Sequence, residues 1–208
     1  MNFRHLAAVG LILAGCATTP APMGTLSDLS LVEGTPVLCD HKVPEQVCTQ
    51  HHPELVGKFK AVNDWCPEHA RPESQCLICH PDLSFEALPK LPEGADVVWL
   101  SREGEDVPSL AEHAVVGKVT VFDFYADWCA PCRKVDRHVF AKIAEGQNLA
   151  LRKLNVFSWE TALAKRHLAT TPALPLLVVF GKDGKQVTTI SGFDLAALDA
   201  AIALGETR

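Results

Sequence analysis

The sequence has no long basic run and no surplus of positive charge: 19 Lys+Arg stand against 25 Asp+Glu, a formal net of −6. That argues against nucleic acid as the main partner, because phosphate binding needs a positive surface. It also lacks any apolar stretch near the ~20 residues that a helix needs to span a bilayer. With 48% hydrophobic and 21% charged residues it is a globular chain rather than a disordered one. Its 208 residues leave room for one or two domains. Eight cysteines and nine histidines are the unusual content, and most of the chemistry is argued from them.

Residues 1 to 16 begin Met-Asn-Phe-Arg, continue as an apolar run from Leu6 to Leu13, and end Leu13-Ala14-Gly15-Cys16. A positive start, a short apolar run and small residues before a cut site make a secretory signal. Ending on Leu-Ala-Gly-Cys, it resembles a bacterial lipoprotein signal, in which Cys16 is lipidated and becomes the new N-terminus. An ordinary signal with a chance cysteine, or a buried helix, is the alternative; the run is too short and too terminal for a core helix. Loss of Arg4 with the signal takes the net charge from −6 to −7. Thr18 to Pro36, rich in Thr, Pro, Gly and Ser, reads as a flexible tether. Ala17 follows the cysteine where an acidic residue does not, which by analogy with enteric bacteria favours the outer membrane over the inner.

From about Asp96 the pattern alternates strands and helices. Val97 to Leu100 is a short apolar strand and Ser109 to Ala114 a short helix. Val119 to Tyr125 carries large apolar groups on both alternating faces, as in a strand covered on both sides of an α/β sheet. Pro131 to Ala144 is helical, with Val135, Val139, Phe140 and Ile143 on one face. Leu149 to Val156 is a strand, and Ser158 is the expected cap of a helix running to His167. Leu176 to Phe180 and Gln186 to Ile190 pair around Asp183-Gly184, a hairpin signal. Asp194 then caps a last helix whose Leu195, Leu198, Ile202 and Leu204 face inward, with Gly205 ending it. The expected order is βαβαβαββα. His113, His138 and His167 fall on polar helix positions and are read as solvated.

Trp128-Cys129-Ala130-Pro131-Cys132 sits where the central strand turns into the next helix. Exposed N–H groups and the helix dipole stabilise a thiolate on the first cysteine and lower its pKa. The second cysteine lies one turn on, within reach to resolve a mixed disulfide. Pro131 suits the first helical turn, where its missing N–H costs little. Half a zinc site or a structural disulfide are the alternatives, but this half contains no second ligand pair, and neither explains the strand–turn–helix setting.

Across nearly all of residues 95 to 206 the sequence resembles the thioredoxin superfamily. Asp123-Phe124-Tyr125-Ala126-Asp127-Trp128-Cys129-Ala130-Pro131-Cys132 matches the active-site run, with Ala130 where thioredoxin has Gly. Tyr-Ala-Asp-Trp-Cys, and Ser191-Gly192-Phe193 near the end, look most like the C-terminal periplasmic domain of the disulfide reductant DsbD. The resemblance implies a thioredoxin fold, a central mixed sheet flanked by helices. It implies that Cys129 attacks a disulfide and Cys132 resolves it, with no cofactor for the thiol chemistry. It makes Asp123 the family's buried carboxylate, Lys153 the lysine beside it, and Pro175 the cis-proline opposite the disulfide.

The residues give their own reasons. An unpaired carboxylate at Asp123, inside a run buried on both faces, is expensive. Burial raises its pKa and lets it relay a proton for Cys132; the plainer alternative is an Asp satisfied structurally by Lys153. A cis bond at Pro175 leaves the backbone of Leu174 free to pair with a substrate strand, and Pro172 is the rival for that role. Trp128 is expected to pack over the cysteines and shield them.

Residues 39 to 83 contain five cysteines and five of the nine histidines, arranged as a repeat. His41…Pro44-Glu45…Cys48-x-x-His51-x-Pro53-x-Leu55 recurs 28 residues later as His69…Pro72-Glu73…Cys76-x-x-Cys79-x-Pro81-x-Leu83, with Cys39 and Cys66 leading the two copies. Each copy thus brings four Cys/His groups together: Cys39, His41, Cys48 and His51, then Cys66, His69, Cys76 and Cys79. Four soft or borderline ligands are what a tetrahedral metal site needs. With Phe59, Trp65 and Phe85 as its aromatics, the segment cannot bury much core and needs a staple.

Three staples compete. Metal binding, zinc or another soft or borderline divalent ion, uses all eight groups. The pattern also resembles Cys/His segments of some periplasmic adaptors of heavy-metal efflux pumps. Disulfides suit an oxidising compartment, but five cysteines cannot pair fully. Haem c is the third, because Cys76-Leu77-Ile78-Cys79-His80 is a C-x-x-C-H run; it leaves the repeat unexplained, and the first copy reads Cys48-Thr49-Gln50-His51-His52. Under the metal reading His52 and His80 lie beside the ligands or in solvent.

The expected organisation is a signal at 1–15, a lipidated Cys16 and tether at 16–36, a Cys/His repeat domain at 37–85, a linker at 86–94 and a thioredoxin-like domain at 95–208. The expected activity is a lipid-anchored periplasmic thiol–disulfide oxidoreductase acting as a protein-disulfide reductase. Its partners would be protein disulfides or mixed disulfides, a membrane thiol electron donor, and the membrane itself through the anchor. Two other functions stay open: a metal-handling protein whose redox domain keeps its ligand thiols reduced, and a haem protein or cytochrome-maturation factor.

Overall fold

A computed structural model describes residues 36–61, 64–81, 83–85 and 88–208. The signal at 1–15, Cys16 and the tether as far as 35 lie outside the described residues. No helix among the described residues is long and apolar enough to cross a membrane.

Five strands form one sheet in the order β1-β3-β2-β4-β5: β1 (Asp96–Ser101), β2 (Val119–Tyr125), β3 (Leu149–Asn155), β4 (Leu176–Phe180) and β5 (Gln186–Ser191). β1 and β2 run parallel to β3 on either side of it, while β2–β4 and β4–β5 are antiparallel. β2 and β3 are buried along their whole length, as the two-faced apolar pattern of β2 predicts. One sheet face packs Val119, Val121, Leu149 and Leu151 against α2 (Ala130–Ala144) and α4 (Leu195–Glu206). The other packs Phe122, Phe124, Leu154 and Val178 against α3 (Ala162–His167). The short helix expected before β2 is a single 3₁₀ turn, Ala111–His113.

Several local expectations are corrected. Thr161, not Ser158, caps α3: its hydroxyl accepts from Ala164 N, after a tight turn in which Ser158 N donates to Val156 O. Gly104, at φ +84°, passes so close to this turn that a Cβ there would lie 2.3 Å from Thr161 Cγ2. Leu204 points outward at 49% exposure, because the buried stripe of α4 runs Leu198, Ala201, Ile202, Gly205. Gly205 does not end the helix. It is a close-approach position, where a Cβ would sit 3.1 Å from Val119 Cγ2. His138 and His167 are not simply solvated: His138 Nε2 lies 2.7 Å from Asp199 Oδ1, and His167 Nε2 donates to Val107 O at 2.8 Å.

The Cys/His segment repeats in backbone as well as in sequence. Lys42 and Ala70, 28 residues apart, both take positive φ. Cys48 N bonds Glu45 O as Cys76 N bonds Glu73 O, and His52 N bonds Cys48 O as His80 N bonds Cys76 O. Between the copies lies α1 (Val56–Ala61). The apolar core of this module is small: Val47, Leu55 and Phe59, with Trp65 against them. The expected linker is no slack connector, for Leu88 and Leu91 pack against the main core.

Candidate redox and metal sites

Cys129 and Cys132 are joined in a disulfide at the start of α2. Cys129 is the N-cap, and its Sγ accepts from Cys132 N at 3.3 Å. This places the sulfur among the unpaired N–H groups of the first turn, where negative charge is stabilised. Both cysteines are largely covered, at 4% and 1% exposure. They share a cluster with Tyr125 and Ala126, against which Trp99, Trp128 and Leu174 pack. Trp128 is thus where the sequence puts it, held by Nε1 donating to Phe157 O. The Leu174–Pro175 bond is cis, and Pro172 has no cis bond. Leu174's place in the cluster brings that bond to the disulfide.

The register of β2 on β3 pairs Asp123 with Lys153, so both side chains lie on the sheet face that α2 covers. Lys153 Nζ donates to Asp123 Oδ2 at 2.6 Å. One helical turn beyond Cys132, Asp136 comes down onto the same ammonium and forms a second ion pair with it. The ammonium also lies 3.7 Å from the centre of the Tyr125 ring. All three charged groups are buried, and Asp123 Oδ1 has no partner among the described residues. Two carboxylates on one ammonium leave a net negative charge in a dry site, which holding one proton removes. Burial accordingly pushes Asp123 up to about 7, with Lys153 opposing and Asp136 reinforcing the shift. Asp127, next to Trp128, is raised to about 6 by burial while accepting from Asn155 Nδ2.

Asp136 was missed by sequence reasoning. The signal was present: on a helix whose inward positions are Val135, Val139, Phe140 and Ile143, it is a carboxylate four residues after Cys132 on a buried stripe.

In the module, each of the two predicted quartets brings one ligand atom per residue within 4.8 Å of the others. His69 Nδ1 lies 3.3 Å from Cys66 Sγ and 3.4 Å from both Cys76 Sγ and Cys79 Sγ. Cys66 Sγ and Cys79 Sγ are 3.6 Å apart. In the first copy His41 Nδ1 lies 3.4 Å from Cys48 Sγ and 3.7 Å from Cys39 Sγ. Tetrahedral zinc with Zn–S of about 2.3 Å and Zn–N of about 2.0 Å places sulfur and nitrogen about 3.5 Å apart and two sulfurs about 3.8 Å apart. All five cysteines are free thiols. His52 and His80 stand outside the quartets, each 3.1 Å from a glutamate, Glu54 and Glu73.

Residues 111–203 match the family model described as Thioredoxin, so the Cys/His module lies outside it. Thioredoxin-2 of Saccharomyces cerevisiae is 33% identical over 86 residues, 41% of this chain and 79% of the yeast protein. Thiol:disulfide interchange protein DsbD 2 of Pseudomonas aeruginosa is 32% identical over 91 residues, 42% of this chain but 16% of that longer protein. A solved structure of thioredoxin O2 from Arabidopsis thaliana in the oxidized state is 22% identical, covering 55% of this chain and 97% of that one with a TM-score of 0.42.

Proposed function

Because this chain belongs to the thioredoxin family, we propose that it is a lipid-anchored periplasmic protein-disulfide reductase carrying a metal-stapled Cys/His module. The observation that carries the redox reading is the Cys129–Cys132 disulfide at a helix N-terminus, with the buried Asp123–Lys153–Asp136 trio on the same covered face. The signal-like residues ending in Cys16 support the anchor and the compartment, and Ala17 favours the outer membrane. The likeness to a thiol:disulfide interchange protein supports a membrane thiol donor as the source of electrons.

In the reduced protein, Cys129 thiolate attacks one sulfur of a substrate disulfide, and the other sulfur leaves as a thiolate. Cys132 then attacks Cys129 Sγ, breaking the mixed disulfide and releasing the second substrate thiol. The substrate gains two electrons, and Cys129 and Cys132 lose two and return to the disulfide. Cys132 must shed its proton as it attacks, and Asp123, poised near neutrality, accepts it. Lys153 and Asp136 hold that carboxylate in place and set its proton affinity. Reduction by a membrane dithiol restarts the cycle. Cys129→Ser is expected to abolish disulfide reductase activity of the full chain; retained activity would remove the assignment.

The sulfur–nitrogen and sulfur–sulfur separations support metal in both quartets, zinc or another soft or borderline ion. They weigh against haem: Cys76 is fully buried among ligand atoms, and His80 faces Glu73. Intact mass of the chain, native and then denatured, tests this. Two metal ions lost on denaturation, with five alkylatable thiols in the module, is the expected result. A covalent increment of haem size, or four paired cysteines, would replace the reading. A second role rests on the same quartets. Thiols exported to an oxidising compartment lose their metal when oxidised, and a reductase joined in cis keeps them ligating. Metal occupancy in oxidising buffer should then fall when Cys129 and Cys132 are both Ser.

A further inference from the structure

Arg133 directly follows the resolving cysteine, and its guanidinium bridges the redox domain and the module. Nη1 donates to Ser74 O at 3.4 Å and Nη2 to Asp127 O at 3.3 Å, while Cζ lies 5.3 Å from the Phe85 ring centre. Ser74 in turn is fixed by Asp64, whose carboxylate accepts from Ser74 N at 2.8 Å and from Ser74 Oγ at 2.5 Å. Asp64 stands two residues before Cys66 and Ser74 two before Cys76, so this buried pair ties together both ends of the second quartet. Around Arg133 the module and the redox domain enclose a cavity of about 120 Å³, lined by Val47, Phe59 and Gln75 on one side and by Cys132 and Asp136 on the other. A planar cation donating in two directions while lying over an aromatic ring is a task that lysine cannot reproduce.

We infer that Arg133 is a positioning residue that makes the Cys129–Cys132 couple respond to whether the Cys66/His69/Cys76/Cys79 quartet holds metal. A fixed positive charge beside a cysteine pair stabilises the thiolate, and with it the reduced form. A closed quartet holds Ser74 and Asp64 in place, and they hold the guanidinium at the cavity that Cys132 lines. An open quartet frees that segment, the guanidinium turns to water, and the reduced form loses its stabilisation.

The inference rests on the metal reading above, and its test separates the two. The full chain in detergent is loaded with zinc or treated with chelator, and zinc content is read by native mass. It is then equilibrated with glutathione, where the disulfide and two glutathione thiols exchange with the dithiol and glutathione disulfide. After acid trapping, the equilibrium constant is read on the peptide carrying Cys129 and Cys132. In wild type, chelation is expected to move the constant about threefold or more toward the disulfide. Arg133→Met is expected at the chelated value with or without zinc, and Arg133→Lys to respond by less than wild type. Zinc-bound wild type whose constant ignores chelation, or Arg133→Met that responds as wild type does, overturns the inference. A chain that takes up no zinc fails at the mass reading, which is the failure of the metal reading and brings this inference down with it.

Discussion

The two halves of this chain solve the same problem with different materials. In the redox domain, β2 and β3 are buried end to end, and two apolar clusters fill both sheet faces. The charged groups inside it are few: the trio beneath α2, and Arg152, which is paired with Asp96. The module buries three apolar side chains in its own cluster, yet it brings eight sulfur and imidazole ligands into two groups. A segment that short cannot offset its conformational entropy by apolar burial alone. In the reading proposed above, ligand bonds to metal replace the core that it lacks, so cysteines that are reactive at a helix N-terminus in one half have a structural task in the other.

The largest effect should come from withdrawing the metal proposed for the two quartets. Apparent binding free energies of about 10–16 kcal/mol per structural zinc are folding free energy, so chelation should unfold the module while the sheet domain survives. Limited proteolysis would then cut within 36–85 and spare 95–208. A module still resistant after chelation would make the two halves alike in kind.

Next in size, Leu198→Ala opens a fully buried position between α4 and the sheet. It should cost the redox domain about 2–5 kcal/mol, read by urea unfolding, with metal content unchanged.

Asp123→Asn sharpens the contrast between a buried charge proposed to react and Cys/His groups proposed to hold a metal. Because burial raises Asp123 to about 7, its carboxylate form grows as pH rises through that value, and the resolving step should quicken with it. The Asn variant should lose that inflection and run on the order of a hundredfold slower at pH 8 in stopped-flow measurements of mixed-disulfide resolution. Stability has the opposite sign. The folded chain keeps the proton after the unfolded chain has lost it near pH 4, so stability falls from about pH 4 to about pH 7. Asn should flatten that slope. The smallest effect belongs to Leu204→Ser, expected within about 0.5 kcal/mol because the side chain is exposed.

Much of this was legible before the fold. Periodicity in one dimension gave the strand order and the long helices, and residue spacing gave the Cys-x-x-Cys site and both Cys/His quartets, while Asp123 and Lys153 were placed by the resemblance to thioredoxin. Errors fell where a local preference met a competing contact. Ser158 is a good cap residue, but the tight turn after β3 defers the helix to Thr161. Leu204 is apolar, but it lies off the stripe set by Leu198 and Ile202.

By itself the sequence determined which residues could react or ligate, since residue type and short-range spacing decide thiolate chemistry and ligand count. Only the tertiary structure decided that Asp136 shares Lys153 with Asp123, and that Arg133 reaches across 59 positions of chain to Ser74. Both are meetings between separate elements. Their energy comes from burying charge against charge, and no periodicity along the chain encodes which distant group will be there.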